Sequence, residues 1–313
     1  MSLLLNLVLI IGCSLALVKA VKWFIRSTTR ISKELRVSGY TISFLLVSIA
    51  TSLPEIVVGI TSAVEDKAIL SYGNALGSNI ALFTLVIAFA GFMGAGINTE
   101  RIFRTKDIYF ASLFSLVAVA LSLDKKINST TGILLVLIYI IYSVAFIRSS
   151  TPLERISEKL ETVNLWKQGI IFLFSLILLV AASEGIVAGA VNLSEILNLQ
   201  LGFIGLSITA LGTSLPEIAY SIAALKQNEE DEVLGDVIGS VAANSTIVLG
   251  ITAIIRPIVI TNGGISIFTY AFAVLTTLLF LGFCKTKKDL NKLESFTLLV
   301  VYFGFLISQY LIQ

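Results

Sequence analysis

Thr51-Ser52-Leu53-Pro54-Glu55 lies inside an apolar run, and the same five residues return as Thr213-Ser214-Leu215-Pro216-Glu217 inside a second one. Proline has no backbone N–H and clashes with the carbonyl four residues before it, so each copy should break its helix and free backbone carbonyls. A broken helix at membrane depth is tolerated only where it is buried or lines a cavity. A carboxylate at the bilayer centre costs about 2.5–3.5 kcal/mol on insertion scales, so an acid there predicts a functional site. The two copies place two such acids alike.

Composition assigns the chain to the membrane proteins. Of its 313 residues, 56% are hydrophobic and 13% are charged, whereas a soluble domain has roughly 25% charged residues. Apolar runs of about 20 residues are long enough to cross the hydrocarbon core as helices. We expect ten such spans, near residues 3–24, 38–64, 68–94, 105–123, 127–147, 166–190, 200–225, 230–255, 263–284 and 294–312. The predicted fold is therefore an all-α polytopic membrane protein with ten transmembrane helices.

The distribution of basic residues predicts the orientation in the membrane. Sixteen lysines and arginines fall on one side, in the connections near 26–36, 101–106, 148–167, 226 and 285–292, and four fall on the other side. Connections rich in Lys and Arg stay in the cytoplasm. We therefore expect a multi-pass protein of the cell membrane with cytoplasmic basic loops and with both termini outside.

A second motif repeats at the same spacing as the first. GNALGS at 73–78 matches GDVIGS at 235–240, and in both motif pairs the copies are 162 residues apart. Two matched motifs at one spacing indicate an internal repeat. With five spans in each half, the second half must enter the membrane upside down, which is the inverted repeat of secondary transporters. We expect a first five-helix repeat over 1–148, a cytoplasmic amphipathic connector over 149–165 and a second five-helix repeat over 166–313.

The polar residues around the two glutamates are ligands for a hard cation. Hydroxyl groups flank each glutamate in the TSLPE motif, and Ser78 and Ser240 each follow their glutamate by 23 residues, in the next span. Calcium takes 6 to 8 oxygen ligands at about 2.3–2.6 Å, and Na⁺ is also bound by unwound helix ends in transporters. The chain has no histidine, which removes the usual ligand of transition metals. The pattern predicts binding of Ca²⁺ and Na⁺.

These motifs resemble a known family. Two copies of (A/G)TSLPE, each followed by G(N/D)xxGS, are similar to the alpha repeats of the Ca²⁺/cation antiporter superfamily, and most closely to its prokaryotic sodium/calcium exchangers. The resemblance covers both halves and essentially all ten spans. It implies cation sites formed by spans 2, 3, 7 and 8, and alternating access produced by spans 1 and 6 sliding across that core.

The resemblance also implies a set of metal ligands. Ser48 and Ala210 would contribute their backbone carbonyls, and the other residues would contribute side chains. The implied side-chain ligands are Thr51, Ser52, Glu55 and Ser78 in the first half and Thr213, Ser214, Glu217 and Ser240 in the second half.

Two positions have lost a polar or charged group that the family pattern carries, and a third position has gained an acidic group. Leu82 stands four residues after Ser78, where these exchangers carry Asn, and Asn244 stands four residues after Ser240, where they carry Asp. Asp236 occupies a position that is usually Asn, on the same helix face as Ser240 and Asn244. We expect Asn244 and Asp236 to belong to the metal site, with Asp236 supplying a third carboxylate or, alternatively, a hydrogen-bonded acid at the mouth of the cytoplasmic path.

The leading functional hypothesis is antiport of Ca²⁺ against Na⁺ by alternating access, and the alternative on the same scaffold is antiport of Ca²⁺ against H⁺. Proton-coupled relatives usually carry a GNAVE-like motif, which GNALGS and GDVIGS lack. A passive channel is a weaker option, because inverted halves with broken helices favour alternating access. An intramembrane hydrolase would need an oriented base, and the chain has no histidine to act as one. We therefore expect no enzyme activity. The expected partners are the two ions and the lipid bilayer, with no cofactor, no nucleic acid and no obligate protein partner.

Overall fold

The structure is a computed structural model that describes residues 3–35, 47–93, 107–121, 123–149, 164–196, 201–226, 230–260, 265–286 and 290–311. These residues are helical almost throughout, as the all-α prediction requires. The helices are α1 (Leu3–Leu35), α2 (Ser48–Thr51), α3 (Leu53–Val64), α4 (Ala68–Ala81), α5 (Ile87–Met93), α6 (Asp107–Ala120), α7 (Ser129–Ser149), α8 (Leu165–Ile196), α9 (Leu201–Ile204), α10 (Ala210–Thr213), α11 (Leu215–Leu225), α12 (Glu230–Ala243), α13 (Leu249–Ile255), α14 (Ile267–Thr286) and α15 (Lys292–Leu311).

Each TSLPE copy interrupts its helix at a single serine. Ser52 has φ −79° and ψ 2°, and Ser214 has φ −82° and ψ 2°, so the two breaks share one backbone shape. Helices α3 and α11 begin directly after these serines and carry proline in their first turn. Proline is well tolerated there because the first N–H groups of a helix have no intrahelical partner. The predicted helix breaks are confirmed.

The secondary structure repeats at the spacing of the motifs. Helix α4 (Ala68–Ala81) corresponds residue for residue to α12 (Glu230–Ala243). A π-helical turn follows each of them, at Leu82–Val86 and at Asn244–Val248. Another π-helical turn, Gly205–Thr209, precedes the second TSLPE copy. Such turns are rare and are often found at functional sites.

Helices α1 and α8, which hold equivalent places in the two halves, pack side by side in opposite directions. The rings of Trp23 and Phe174 are 5.9 Å apart, whereas the sulfur of Cys13 lies against Gly185. Residue numbers therefore fall along α8 as they rise along α1. A two-fold rotation that exchanges the halves reverses equivalent helices in this way.

Helix α4 lies at the centre of the molecule. Every one of its residues except Ile69 is buried, as expected for a helix that is surrounded by protein. Glycines allow the segment around Gly205 to approach closely, since a Cβ on Gly73 would lie 2.9 Å from the carbonyl oxygen of Gly202. This packing brings the second helix break up to α4.

A short antiparallel strand pair, β1 (Lys126–Ile127) and β2 (Ile258–Val259), joins two connections at one end of the molecule. Arg256, just before β2, forms a salt bridge with Asp66 at 2.5 Å. The chain after α3 and the chain after α13 are thereby held together.

Seven helices among the described residues are long and apolar enough to cross a membrane. They are Ala68–Met93, Ser129–Phe146, Leu165–Ala182, Gly202–Leu225, Glu232–Ile255, Ile267–Cys284 and Lys292–Leu311. The remaining predicted spans contain shorter apolar helices, at Leu4–Cys13, Leu53–Val64 and Asp107–Ala120. The count of ten spans is not confirmed and stays a prediction. Residues 150–163 of the predicted connector lie outside the described residues.

Candidate cation site

Every residue that was assigned to the metal site lies within the described residues, and each is buried with at most 1% of its surface exposed. These residues are Ser48, Thr51, Ser52, Glu55, Ser78, Ala210, Thr213, Ser214, Glu217, Asp236, Ser240 and Asn244. They come from α2, α3, α4 and their counterparts α10, α11 and α12, from the serines at the two breaks, and from the π-helical turn after α12.

The helix breaks bring the two glutamates to helix N-termini. Glu55 lies in the first turn of α3, and Glu217 lies in the first turn of α11. The N-terminal end of a helix carries a partial positive charge that stabilises a carboxylate in its first turn. The proline therefore both ends one helix and provides the start of the next, where a buried acid costs less.

Each TSLPE threonine contacts the opposite half of the molecule. The hydroxyl of Thr51 donates to Asp236 Oδ1 at 3.0 Å and lies 3.4 Å from Ser240 Oγ. Such contacts join residues that are more than 180 positions apart in the chain, so they are made by tertiary packing alone.

Thr213 makes the equivalent contacts in the other direction. Its hydroxyl donates to Asn74 Oδ1 at 3.1 Å and lies 3.4 Å from Ser78 Oγ. Asn74 and Asp236 are equivalent positions in the two halves, as are Ser78 and Ser240. These two pairs of contacts are equivalent when the halves are exchanged. Helices α4 and α12, which carry the GNALGS and GDVIGS motifs, therefore each contact the TSLPE break of the other half.

The two glutamates differ in their hydrogen bonds. Ser78 donates to Glu55 Oε1 at 3.3 Å, whereas both carboxylate oxygens of Glu217 have no hydrogen-bond partner among the described residues. The charge of Glu217 lies within electrostatic reach of Glu55 and of Asp236. Three acids are thus gathered around the two breaks.

Several buried oxygen atoms in this region have no hydrogen-bond partner among the described residues. They are Ser52 Oγ, Glu55 Oε2, Ser214 Oγ, both carboxylate oxygens of Glu217, Asp236 Oδ2 and Asn244 Oδ1. Most buried polar atoms in proteins are satisfied, and an unpaired buried charge is costly. A group of buried oxygens left open in one place fits a bound hard cation, which would be coordinated by them.

The two backbone carbonyls of the implied ligand set are already hydrogen-bonded. The Ser48 carbonyl accepts from the N–H of Ser52 at 2.9 Å and lies 3.2 Å from the hydroxyl oxygen of Thr51, whose single hydrogen is donated to Asp236. The Ala210 carbonyl accepts from the N–H of Ser214 at 3.0 Å and lies 3.3 Å from the hydroxyl oxygen of Thr213, whose hydrogen is donated to Asn74. A carbonyl oxygen has two lone pairs, so each of these carbonyls keeps one lone pair that a cation could use.

The two positions that depart from the family pattern begin the π-helical turns after α4 and after α12. Leu82 is fully buried in the main hydrophobic cluster and offers no ligand. Asn244 is also fully buried, but neither atom of its amide group has a partner among the described residues. Of these two positions, Asn244 alone presents an open polar group.

Sequence reasoning missed the role of Asn74. It treated this residue as part of a repeated glycine motif, whereas the structure places its side chain on Thr213. The signal was present, because Asn74 is the repeat equivalent of Asp236. The contact between Asn79 and Ser245, at 2.8 Å, was also missed. It links α4 to the π-helical turn after α12.

No group of three or more His, Cys, Asp or Glu side chains within the described ranges has the geometry of a metal site. The candidate site therefore depends on hydroxyl and amide oxygens as well as carboxylates. Such a mixed oxygen set suits Ca²⁺ and Na⁺ and provides nothing soft for a transition metal.

Comparison with known proteins agrees with this geometry. The chain matches the family described as sodium/calcium exchanger protein over residues 5–148 and 167–311. It is 30% identical to the putative antiporter CaxA of Alkalimonas amylolytica, over 92% of each chain. It is 25% identical to the sodium/calcium exchanger MaX1 of Methanosarcina acetivorans, over 96% of this chain and 97% of that protein.

A solved structure has the same fold. The sodium-calcium exchanger NCX_Mj, in crystals soaked with Na⁺ and Sr²⁺, superimposes with a TM-score of 0.79 at 26% identity, over 98% of this chain and 99% of the other. The expected all-helical membrane fold is thus confirmed at the level of this shared architecture. Members of the family transport ions across membranes and are not enzymes, and the ions that they use are their cargo rather than cofactors. The chain belongs to the sodium/calcium exchanger family, within the Ca²⁺/cation antiporter superfamily of the prokaryotic type.

Proposed function

We propose that this protein exchanges Ca²⁺ for Na⁺ across the membrane by alternating access, with Glu55 and Glu217 as the charged ligands of the ions. The observation that carries the proposal is the set of buried oxygen atoms around the two helix breaks that have no hydrogen-bond partner among the described residues. Two ionised glutamates balance one Ca²⁺ or two Na⁺. The same pocket can therefore bind either cargo without a net change of charge.

The remaining ligands are the hydroxyls and carbonyls of the two breaks and the serines of the adjoining helices. They are Ser48 and Ala210 through their carbonyls, and Thr51, Ser52, Ser78, Thr213, Ser214, Ser240 and Asn244 through their side chains. Asp236 lies at the edge of this set, as the acid that accepts a hydrogen bond from Thr51. The reciprocal contacts of Thr51 and Thr213 support this set, because they join the breaks to both serine-bearing helices.

The scaffold that we propose has ten transmembrane helices in two inverted five-helix repeats, 1–148 and 166–313, joined by a cytoplasmic connector over 149–165. The antiparallel packing of α1 against α8 supports inversion, since equivalent helices of an inverted repeat run in opposite directions. Movement of these two helices across the core would open the site to each side in turn. The excess of basic residues in alternate connections favours cytoplasmic basic loops and external termini.

Antiport of Ca²⁺ against H⁺ is the second candidate function. It is favoured by Asp236, which adds a third buried acid beside the two glutamates, because carboxylates gathered in one place can carry protons themselves. Sodium is favoured by the relatives whose names describe sodium/calcium exchange, and by the lack of a GNAVE-like acid after the glycines.

Uptake of ⁴⁵Ca²⁺ into proteoliposomes tests both candidates. An outward Na⁺ gradient and an outward H⁺ gradient are imposed separately, with protein-free vesicles as the control for leak. We expect uphill Ca²⁺ accumulation with the Na⁺ gradient alone. Accumulation with the H⁺ gradient alone would replace the sodium assignment by the proton alternative. Downhill flux that neither gradient drives uphill would indicate a channel, and absence of Ca²⁺ flux would overturn the cargo assignment.

A further inference from the structure

The two halves differ along the helix faces that lead away from the glutamates. In the second half, polar and acidic side chains continue from Glu217 toward the Leu225 end of α11 and the Glu230 end of α12. The equivalent positions in the first half are neutral or apolar. The second-half residues are Tyr220, Ser221, Glu232 and Asp236, and their first-half counterparts are Val58, Gly59, Leu70 and Asn74.

One hydrogen bond joins these second-half residues across the helix pair α11 and α12. The hydroxyl of Tyr220 donates to Glu232 Oε2 at 2.7 Å. Glu232 is one helical turn before Asp236, so both acids lie on one face of α12, and the charge of Glu232 acts on Asp236. This face continues to Ser240, which lies beside Thr51 in the central site.

Two buried oxygens along this path have no partner among the described residues. Asp236 is fully buried, and its Oδ2 accepts no hydrogen bond although its Oδ1 accepts from Thr51. Ser221 is 1% exposed, and its hydroxyl is likewise unpartnered. Ser221 shares the buried face of α11 with Glu217 and Tyr220. A buried carboxylate oxygen without a donor is costly unless a cation neutralises it.

In the first half, packed side chains surround the corresponding residue, Gly59. A Cβ on Gly59 would lie 2.6 Å from Thr252 Oγ1 and 3.1 Å from Ser71 Oγ. These two hydroxyls are bonded to one another at 2.8 Å. The space that Ser221 occupies in one half is therefore filled by packed side chains in the other half.

We propose that Glu232 and Asp236, with the hydroxyls of Ser221 and Tyr220, form a second binding station for Ca²⁺, between the central site and the Leu225–Glu230 end of the molecule. Two carboxylates balance the charge of one divalent cation, and four oxygen-bearing side chains with added water meet the coordination of Ca²⁺. The station rests on the proposed function, because it delivers to the central site the ion that this site transports. It makes the two access paths unequal, with a Ca²⁺ reservoir on one side only.

Equilibrium binding of ⁴⁵Ca²⁺ to the purified full-length protein tests the station separately from transport. Glu217→Gln weakens the central site, so the Ca²⁺ that remains bound to this variant reports the station. We expect Glu217→Gln to retain a Ca²⁺-binding phase, and Glu232→Gln in the same background to weaken that phase at least about tenfold, since ligand charge sets Ca²⁺ affinity. Asp236→Asn is a second probe, and the equivalent Asn74 shows that asparagine fits this backbone position.

Glu230→Gln is the matched control. It removes an acid from the same helical turn, but residues two apart on a helix point to different faces, so its effect should be less than about twofold. Equal weakening by Glu230→Gln and Glu232→Gln would mean general surface attraction and would overturn the station. The absence of Ca²⁺ binding to Glu217→Gln, or residual binding that is insensitive to Glu232→Gln, would also overturn it. If the residual binding depends on Glu232 but the unmutated protein accumulates no ⁴⁵Ca²⁺ in proteoliposomes, the proposed function would be refuted and the station would be left intact.

Discussion

Glu55 and Glu217 are fully buried acids that no lysine or arginine neutralises in the parts of the chain that the structure describes. Each is supported by the start of its own helix, which supplies only a partial charge. Their proximity to one another adds repulsion. At the scale of single residues, the described part of the protein supplies neither glutamate with a basic partner, which supports the proposed cation site.

Glu55→Gln or Glu217→Gln should abolish Ca²⁺ uptake. Removal of one member of a buried ion pair costs about 3–5 kcal/mol, which weakens binding by more than about a hundredfold. The melting temperature should not fall, because the neutral amide relieves the cost of burying a charge. Uptake of ⁴⁵Ca²⁺ and thermal unfolding measure the two effects. Glu195→Gln, at an exposed acid outside the site, is the control, and near-normal uptake by either glutamate variant would refute the site.

Asn244→Asp should strengthen Ca²⁺ binding. Asn244 is fully buried at the start of a π-helical turn, and its amide oxygen has no hydrogen-bond partner within the described ranges. A carboxylate there would add charge at the same oxygen position. A gain of about tenfold in apparent Ca²⁺ affinity is expected from one added charged ligand. Titration of uptake against Ca²⁺ concentration measures it, together with the Na⁺ dependence. If neither affinity nor coupling changed, Asn244 would not belong to the site.

At the scale of elements, the π-helical turns are specified partly by side chains. The hydroxyls of Thr84, Ser207 and Thr246 each donate to the carbonyl four residues earlier. A π-helical turn shifts the backbone hydrogen-bond pattern from i−4 to i−5, and a hydroxyl can bond to the carbonyl that is left. Thr84 and Thr246 are repeat equivalents, so the same local chemistry produces the same turn after α4 and α12.

Gly77→Ala should destabilise the central helix pair. A Cβ on Gly77 would collide with the carbonyl oxygen of Leu206 and lie 2.7 Å from Ala210 Cβ, and both partners belong to the segment before the second break. Overpacking of this kind costs about 1–3 kcal/mol, and it would move α4 away from Thr213. We expect a lower melting temperature in detergent and slower ⁴⁵Ca²⁺ uptake.

Gly282→Ala is the matched control for this substitution. A Cβ on Gly282 meets nothing within 4 Å, and alanine is favoured over glycine in a helix by about 1 kcal/mol. This variant should keep or raise the melting temperature and leave uptake unchanged. A Gly77→Ala protein as stable and active as Gly282→Ala would contradict close packing of α4 against the second break.

At the scale of the whole molecule, the candidate site is formed where each half contacts the helix break of the other half. The Thr51–Asp236 and Thr213–Asn74 contacts cross between the halves, while α1 and α8 lie antiparallel at equivalent positions. Neither half contains the whole of the proposed ligand set. Movement of one half of this arrangement relative to the other would change both breaks together.

The exchange should be weakly electrogenic. The two central glutamates balance one Ca²⁺, two Na⁺ or two protons, and position 244, where the family resemblance implies an Asp, is the neutral Asn244 here. Each charge moved through the membrane potential would contribute about 2.3 kcal/mol per 100 mV. Currents recorded from proteoliposomes on a solid support, at several imposed potentials, measure this. A Ca²⁺-dependent current that grows with membrane potential would count against the balanced pocket.

The sequence by itself determined the helical membrane fold, the two helix breaks and the set of buried oxygens, because proline, glycine and long apolar runs act locally and the motifs are repeated at one spacing. It also indicated the family. Only the tertiary structure decided that Thr51 bonds to Asp236 and Thr213 to Asn74. It also decided that Tyr220 bonds to Glu232 across α11 and α12, and that Gly59 is packed against Thr252 and Ser71. These contacts join distant parts of the chain, so they depend on how whole helices pack and not on any local preference.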